Sequence, residues 1–182
     1  MNKSAASFCK RLYQSVAERY GEAKAGEICG GGVSASATAG RRGQWAAEAM
    51  ERVASGFDVE AQAKVMAGCA CGPGQAQMDA ARKIWASCKS LEEYCDKRND
   101  EMKGGARFET RDGLLYVSYP RCYCSMVKNA ENPVPRTWCL CSCEYTRRAC
   151  SAAFDRPVEV KLMKSVIAGD GECLFEVRIH WE

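Results

Sequence analysis

"ARFETRDGLLYVSYP", residues 106–120, decides the fold. Apolar and polar residues alternate through it, the period of a strand with one buried face. Asp112-Gly113 sits in the middle, and this pair favours the left-handed angles of a tight hairpin turn. A second stretch, "PVEVKLMKSVIAGDGECLFEVRIHW" (157–181), repeats the design around Gly169–Gly171. On its last strand Cys173, Phe175, Val177, Ile179 and Trp181 share one face, which is assigned to the core. His180, the single histidine, falls on the other face with Glu176 and Arg178 and reads as an exposed bystander.

Upstream the period changes to that of helices. Residues 4–25 carry Phe8, Leu12, Val16 and Tyr20 at intervals of four and predict one helix. "CGGGVSASATAGRRG" (29–43) reads as loop; its three glycines lack the motif of a phosphate-binding loop. A second helix is expected over 44–56. Asp58 caps a third that ends near Gly68. "GCACGPG" breaks the chain, and a fourth helix follows over 75–88. "SLEE" at 90–93 has the form of a capping box and opens a fifth. One more helix is expected over 137–154, with Thr137 as its cap. The expectation is an α+β protein: a helical N-terminal half, 1–104, packed with a β-β-α-β-β antiparallel half, 105–182. The strands need helical cover, so the two halves are expected to form one compact unit around a break at Gly104-Gly105.

The chain has 182 residues and a formal net charge of +3. Lys and Arg are interspersed with Asp and Glu, so no basic stripe points to nucleic acid. No stretch approaches the roughly 18 apolar residues of a membrane span. The first residues lack the apolar centre of a signal peptide. A cytoplasmic protein is expected.

Thirteen cysteines then need an account. In a reducing compartment, clustered thiols point to metal or redox chemistry rather than to a disulfide framework. Five fall between residues 122 and 143, as CxC followed by CxCxC. Cys122 and Cys124 share one side if they lie on a strand, and Cys139 and Cys143 one side of a helix. Convergence of these four would suit tetrahedral zinc, or an iron–sulfur cluster as the alternative. Cys69, Cys71 and Cys141 are reserve ligands. A second reading makes Cys139 a reactive thiol at a helix start, where the dipole favours the thiolate. A third makes these residues apolar packing around a ligand pocket. Cys9, Cys29, Cys88, Cys95 and Cys150 read as core thiols. A lone histidine argues against a Cys-His-Asp hydrolase and against a histidine-ligated catalytic metal.

Residues 141–179, "CSCEYTRRACSAAFDRPVEVKLMKSVIAGDGECLFEVRI", resemble the end of the 4-vinyl-reductase-like domains. Phe154, Pro157, Val158, Glu159, Val160, Gly169, Cys173, Phe175 and Val177 carry the resemblance. That family has glycine where this chain has Asp155, and Asp tolerates the left-handed turn better than most residues. The resemblance implies an α+β small-ligand-binding domain, similar to transport-particle subunits and haem nitric-oxide sensors. The whole chain, with "CACG", "YPRCYC" and "TWCLCSCEY", resembles a cysteine-rich prokaryotic family without an assigned function.

The function these readings favour is a small-molecule-binding sensor or accessory protein with a cysteine-held metal, and a small hydrophobic or aromatic ligand. The pocket is expected between sheet and helices, with Tyr116, Tyr119, Tyr123 and Trp138 as candidate lining. One alternative is a cysteine-dependent enzyme, because the tail also resembles hydrolases acting on small thiazoline carboxylates. The other is a structural module that forms a homodimer.

Overall fold

The computed structural model describes residues 3–34, 36–103 and 105–181, with side chains from Ser7 onward. Gly104, half of the expected break, lies outside them. Among the described residues, seven α-helices and four strands run in the order α1 (Lys3–Tyr20), α2 (Glu22–Cys29), α3 (Ala39–Gly56), α4 (Val59–Gly68), α5 (Gln75–Ala86), α6 (Leu91–Glu101), β1 (Arg107–Arg111), β2 (Leu114–Tyr119), α7 (Leu140–Phe154), β3 (Val158–Lys164) and β4 (Cys173–Ile179). The strands form one antiparallel sheet in the order β1-β2-β4-β3. The α+β architecture is the one expected. Among the described residues, no helix is long and apolar enough to cross a membrane.

Two compact units divide this chain, and neither is a consecutive stretch. The first comprises 1–70, 122–141 and 167–169; the second comprises 71–121, 142–166 and 170–182.

The first unit is helical. The helix expected over 4–25 is two helices, because Gly21 adopts φ 86 and turns the chain between α1 and α2. α3 begins five residues earlier than 44, inside the Gly/Ser/Ala stretch: the Thr38 hydroxyl accepts the Arg41 N–H at 3.2 Å and caps it. α1 and α4 cross closely at Gly68, where the Ser15 hydroxyl donates to the Val65 carbonyl at 2.8 Å. Segment 122–141 belongs to this unit and contributes apolar anchors: Met126, Val127, Val134 and Trp138 are buried. Trp138 stacks on Phe8, and Trp45 meets Trp138 edge-on at 6.3 Å. The Trp45 indole N–H donates to the Cys29 carbonyl at 2.9 Å. Thr137 is not a helix cap. It sits inside a 3₁₀ turn, Arg136–Cys139, that follows Pro135 and leads into α7. Cys139 therefore ends this turn and does not open the α-helix.

The second unit holds the sheet with α5, α6 and most of α7. Asp112 (φ 52) and Gly113 (φ 76) make the expected turn between β1 and β2. Phe108, Leu115, Val117, Val177, Val158 and Ile179 form the buried sheet face, with Phe108 opposite Val117 and Leu115 opposite Val177. Asp155 holds φ 53 between α7 and β3, the backbone anticipated for that position. Trp181 departs from expectation. It lies past the end of β4 and is exposed, although its ring lies 5.4 Å from Trp85 and 5.9 Å from Phe154. His180 is exposed as expected, 3.3 Å from the Glu159 carboxylate.

Candidate ligand-binding site

The site grows from α6. Ser90 accepts the Glu93 N–H at 3.2 Å and starts the helix. The Glu93 carboxylate returns to the Lys89 N–H at 2.8 Å, one residue before the position a full capping box would use. From this start Tyr94, Arg98, Glu101 and Met102 recur at helical spacing and line a cavity of ≈ 350 Å³. Asn99 fixes α6 against the sheet edge. Its side-chain carbonyl accepts the Phe108 N–H at 2.8 Å, and its amide donates to the Phe108 carbonyl at 2.8 Å. Phe108, Val117 and Tyr119 line the cavity from the sheet, Ala81 and Met78 from α5, and Tyr145, Thr146, Ala149 and Cys150 from α7. The whole lining lies within the second unit.

Two polar groups in this lining lack hydrogen bonds. Thr146 is 3% exposed and its hydroxyl has no partner. Arg98 pairs through Nη1 with the Glu101 carboxylate, and its guanidinium lies over the Phe108 ring at 5.0 Å. Arg98 Nε is buried and unpartnered. Leaving a buried donor unpaired costs about 1–3 kcal/mol, so native interiors rarely do so.

Burial holds the other ionisable groups here neutral. It pushes the Tyr94 and Tyr119 hydroxyls far above their usual range, with the positive charge of Arg98 opposing weakly. Burial likewise pushes the Cys150 thiol up to about 12. Arg98 and Glu101 are the charged residues among the described lining. Glu101 is 44% exposed on its side chain against 13% for Arg98, so the cation is the deeper of the two.

Most of the sequence-derived candidates stand elsewhere. Tyr119 lines the cavity, but Tyr116, Tyr123 and Trp138 do not. Tyr116 donates to Glu176 at 2.9 Å, Tyr123 is exposed, and Trp138 is buried in the first unit. Cys122 and Cys124 are half-buried and follow the end of β2, so no strand aligns them. Cys139 is 6% exposed, and Cys141 donates to the Trp138 carbonyl at 3.2 Å. Cys143 is half-buried on α7, Cys69 is buried and Cys71 is exposed. Among the described residues, no group of three or more His, Cys, Asp or Glu side chains is arranged to hold a metal ion. The intervening segment buries Met126, Val127, Val134 and Trp138.

Arg98 and Thr146 escaped the sequence reading. Their signal is faint: a Tyr94–Arg98 pair and a Thr146–Cys150 pair, each four apart on helices that otherwise look ordinary.

A family model described as "Family of unknown function (DUF6144)" matches residues 7–182. The chain belongs to DUF6144. The whole-chain resemblance to a family without an assigned function is thus met, and no curated protein matches this DUF6144 chain. Among solved structures it is similar to a trafficking protein particle complex subunit 3 from Naegleria fowleri, covalently bound to palmitic acid. There the identity is 11% and the TM-score 0.45, over 78% of this chain and 95% of that one. It is also similar to an H-NOX protein from S. oneidensis in the Fe(II)NO ligation state, at 12% identity and TM-score 0.46, over 96% and 98% of the two chains. A mutant H-NOX domain from Shewanella oneidensis in the Fe(II)CO ligation state gives 8% and 0.47, over 97% and 98%.

Proposed function

We propose that the protein binds a small, largely apolar molecule in the cavity of its second unit and works as a sensor or accessory protein. The observation that carries this reading is the pair of unpartnered buried groups, Arg98 Nε and Thr146 Oγ1, in the lining of one ≈ 350 Å³ cavity. A small-molecule site has this form: apolar walls, few polar groups, and a volume within about 300–1,000 Å³. The resemblance of the tail to the 4-vinyl-reductase-like domains points the same way.

Binding is favoured over catalysis by a cysteine. The one thiol in the described lining is Cys150, and burial keeps it protonated. A reactive thiol at Cys139 would belong to a buried side chain. A zinc ion or iron–sulfur cluster at Cys122, Cys124, Cys139 and Cys143 is a separate proposal resting on their spacing. A homodimer is likewise separate, and sedimentation would test it.

The test of binding is native mass spectrometry of the purified chain for a co-purified small molecule, beside the Ala149→Trp variant, which fills the cavity. A bound mass present in the parent and lost in the variant is expected. A mass retained equally by a folded variant would place the ligand elsewhere and end this reading.

A further inference from the structure

The polar pair in the cavity also has a chemical preference. We propose that the site selects a carboxylate: an aromatic or short aliphatic acid whose apolar body rests on the Phe108 and Val117 side and whose carboxylate is taken by Arg98 and Thr146. This inference rests on the binding reading above and narrows it.

The guanidinium geometry leads to this class. Arg98 offers five N–H donors in a rigid plane. Glu101 engages Nη1, and the ring of Phe108 lies against the plane. Nε has no partner, and the hydrogen bond that Arg98 makes to Glu101 runs through Nη1. The Nε and Nη2 hydrogens point the same way along one edge. That edge makes two parallel hydrogen bonds to the two oxygens of a carboxylate, whereas an alcohol or a ketone fills only one of them. Thr146, 97% buried by its 3% exposure, adds a hydroxyl that no protein group satisfies.

Charge supports the same class. Tyr94, Tyr119 and Cys150 stay protonated and bring no negative charge to the lining. Glu101 is the sole anion among the described lining residues and is the more exposed partner. Water can therefore solvate Glu101 while Arg98 turns to a ligand. A phosphate dianion would leave charge unmatched against one arginine, and an ammonium ligand would meet a cation in an apolar wall.

The experiment compares matched probes on the full-length chain at neutral pH. Benzoate, phenylacetate, 3-phenylpropionate and hexanoate are titrated calorimetrically beside the alcohols of the same skeletons. At least one acid should bind about tenfold or more tightly than its alcohol, the size of a hydrogen bond to a charged group. Arg98→Gln should erase that preference by weakening the acid far more than the alcohol. Arg98→Lys keeps the charge without the fork and should lose most of the preference. Thr146→Val should weaken the acid about three- to tenfold. If Arg98→Gln fails to fold, as judged by circular dichroism, Arg98→Lys and Thr146→Val decide by the same comparison.

Equal affinity for acid and alcohol, or a preference that survives the arginine variants, overturns the carboxylate inference. The cavity reading then stands if Ala149→Trp abolishes both. Absence of binding across both series overturns the carboxylate inference, and a co-purified mass retained in Ala149→Trp overturns the cavity reading separately.

Discussion

The ring of Phe8 stacks on the indole of Trp138, with centroids 4.2 Å apart and planes 22° apart. The two residues are far apart in sequence, yet both are buried in the first unit. This stack, with Trp45 edge-on to both rings, brings the cysteine-bearing segment 122–141 into a helical core. The indole N–H of Trp138 has no partner there. Trp138→Ala should therefore cost about 3–5 kcal/mol of stability. Trp138→Phe should cost less than half of that, since it keeps an aromatic ring on Phe8 and removes an unsatisfied donor. Urea unfolding of the two variants beside the parent checks the order. Equal losses would mean that ring stacking is not what holds the segment.

Gly68 supplies the second prediction. A Cβ there would stand 2.2 Å from the Ser15 Oγ and 2.7 Å from its Cβ. Ser15 is buried and its hydroxyl is committed to the Val65 carbonyl, so it has little room to yield. Gly68→Ala should destabilise by about 1–3 kcal/mol through overpacking of α1 on α4. Gly72→Ala, where nothing lies within 4 Å, should be close to neutral. Comparable midpoints for the two variants would contradict the close crossing.

Alkaline pH should weaken the fold. The Cys150 thiol is raised from an ordinary value of 9.0 to about 12 by burial. Between these values the unfolded chain releases its proton while the folded chain keeps it. Stability is therefore fully present below pH 9 and falls as pH rises toward 12, with a limiting slope of about 1.4 kcal/mol per pH unit for this one thiol. Thermal melts at pH 8 and pH 10 under reducing conditions measure the loss. Cys150→Ala should start from a lower stability and lose less between the two pH values. A parent and variant with the same pH dependence would show that this thiol is not the cause.

The clustered cysteines make a prediction of their own. If they hold zinc or an iron–sulfur cluster, protein purified without added metal contains it. Cys139→Ser should then lower the metal content, whereas Cys88→Ser, at a half-buried site outside that set, should not. Elemental analysis of the three proteins decides. Metal-free parent protein would leave Cys122, Cys124, Cys139 and Cys143 as packing or redox thiols.

The elements legible in the sequence are those written over a few neighbouring residues. Asp112-Gly113 specifies its hairpin because the left-handed angles are local. Asp58 and Ser90 specify helix starts because a cap reaches only three residues along the chain. The alternation of β2 and β4 places Leu115, Val117, Phe175 and Val177 in the core by the same short-range logic. Where two local signals competed, the reading failed. The apolar spacing of 4–25 hid the turn at Gly21, and Thr137 resembled a cap in a segment that Pro135 turns into a 3₁₀ helix. The site itself was decided only by tertiary structure. Arg98 and Thr146 lie on different helices, and neither stands out among the polar residues of its own helix. What distinguishes them is burial without a partner around one cavity, which depends on how α5, α6 and α7 pack on the sheet. The membership of segment 122–141 follows the same rule: the sequence displayed its cysteines, but the burial of Met126, Val127, Val134 and Trp138 determined where it packs, because dispersion and burial act between residues that only the folded chain brings together.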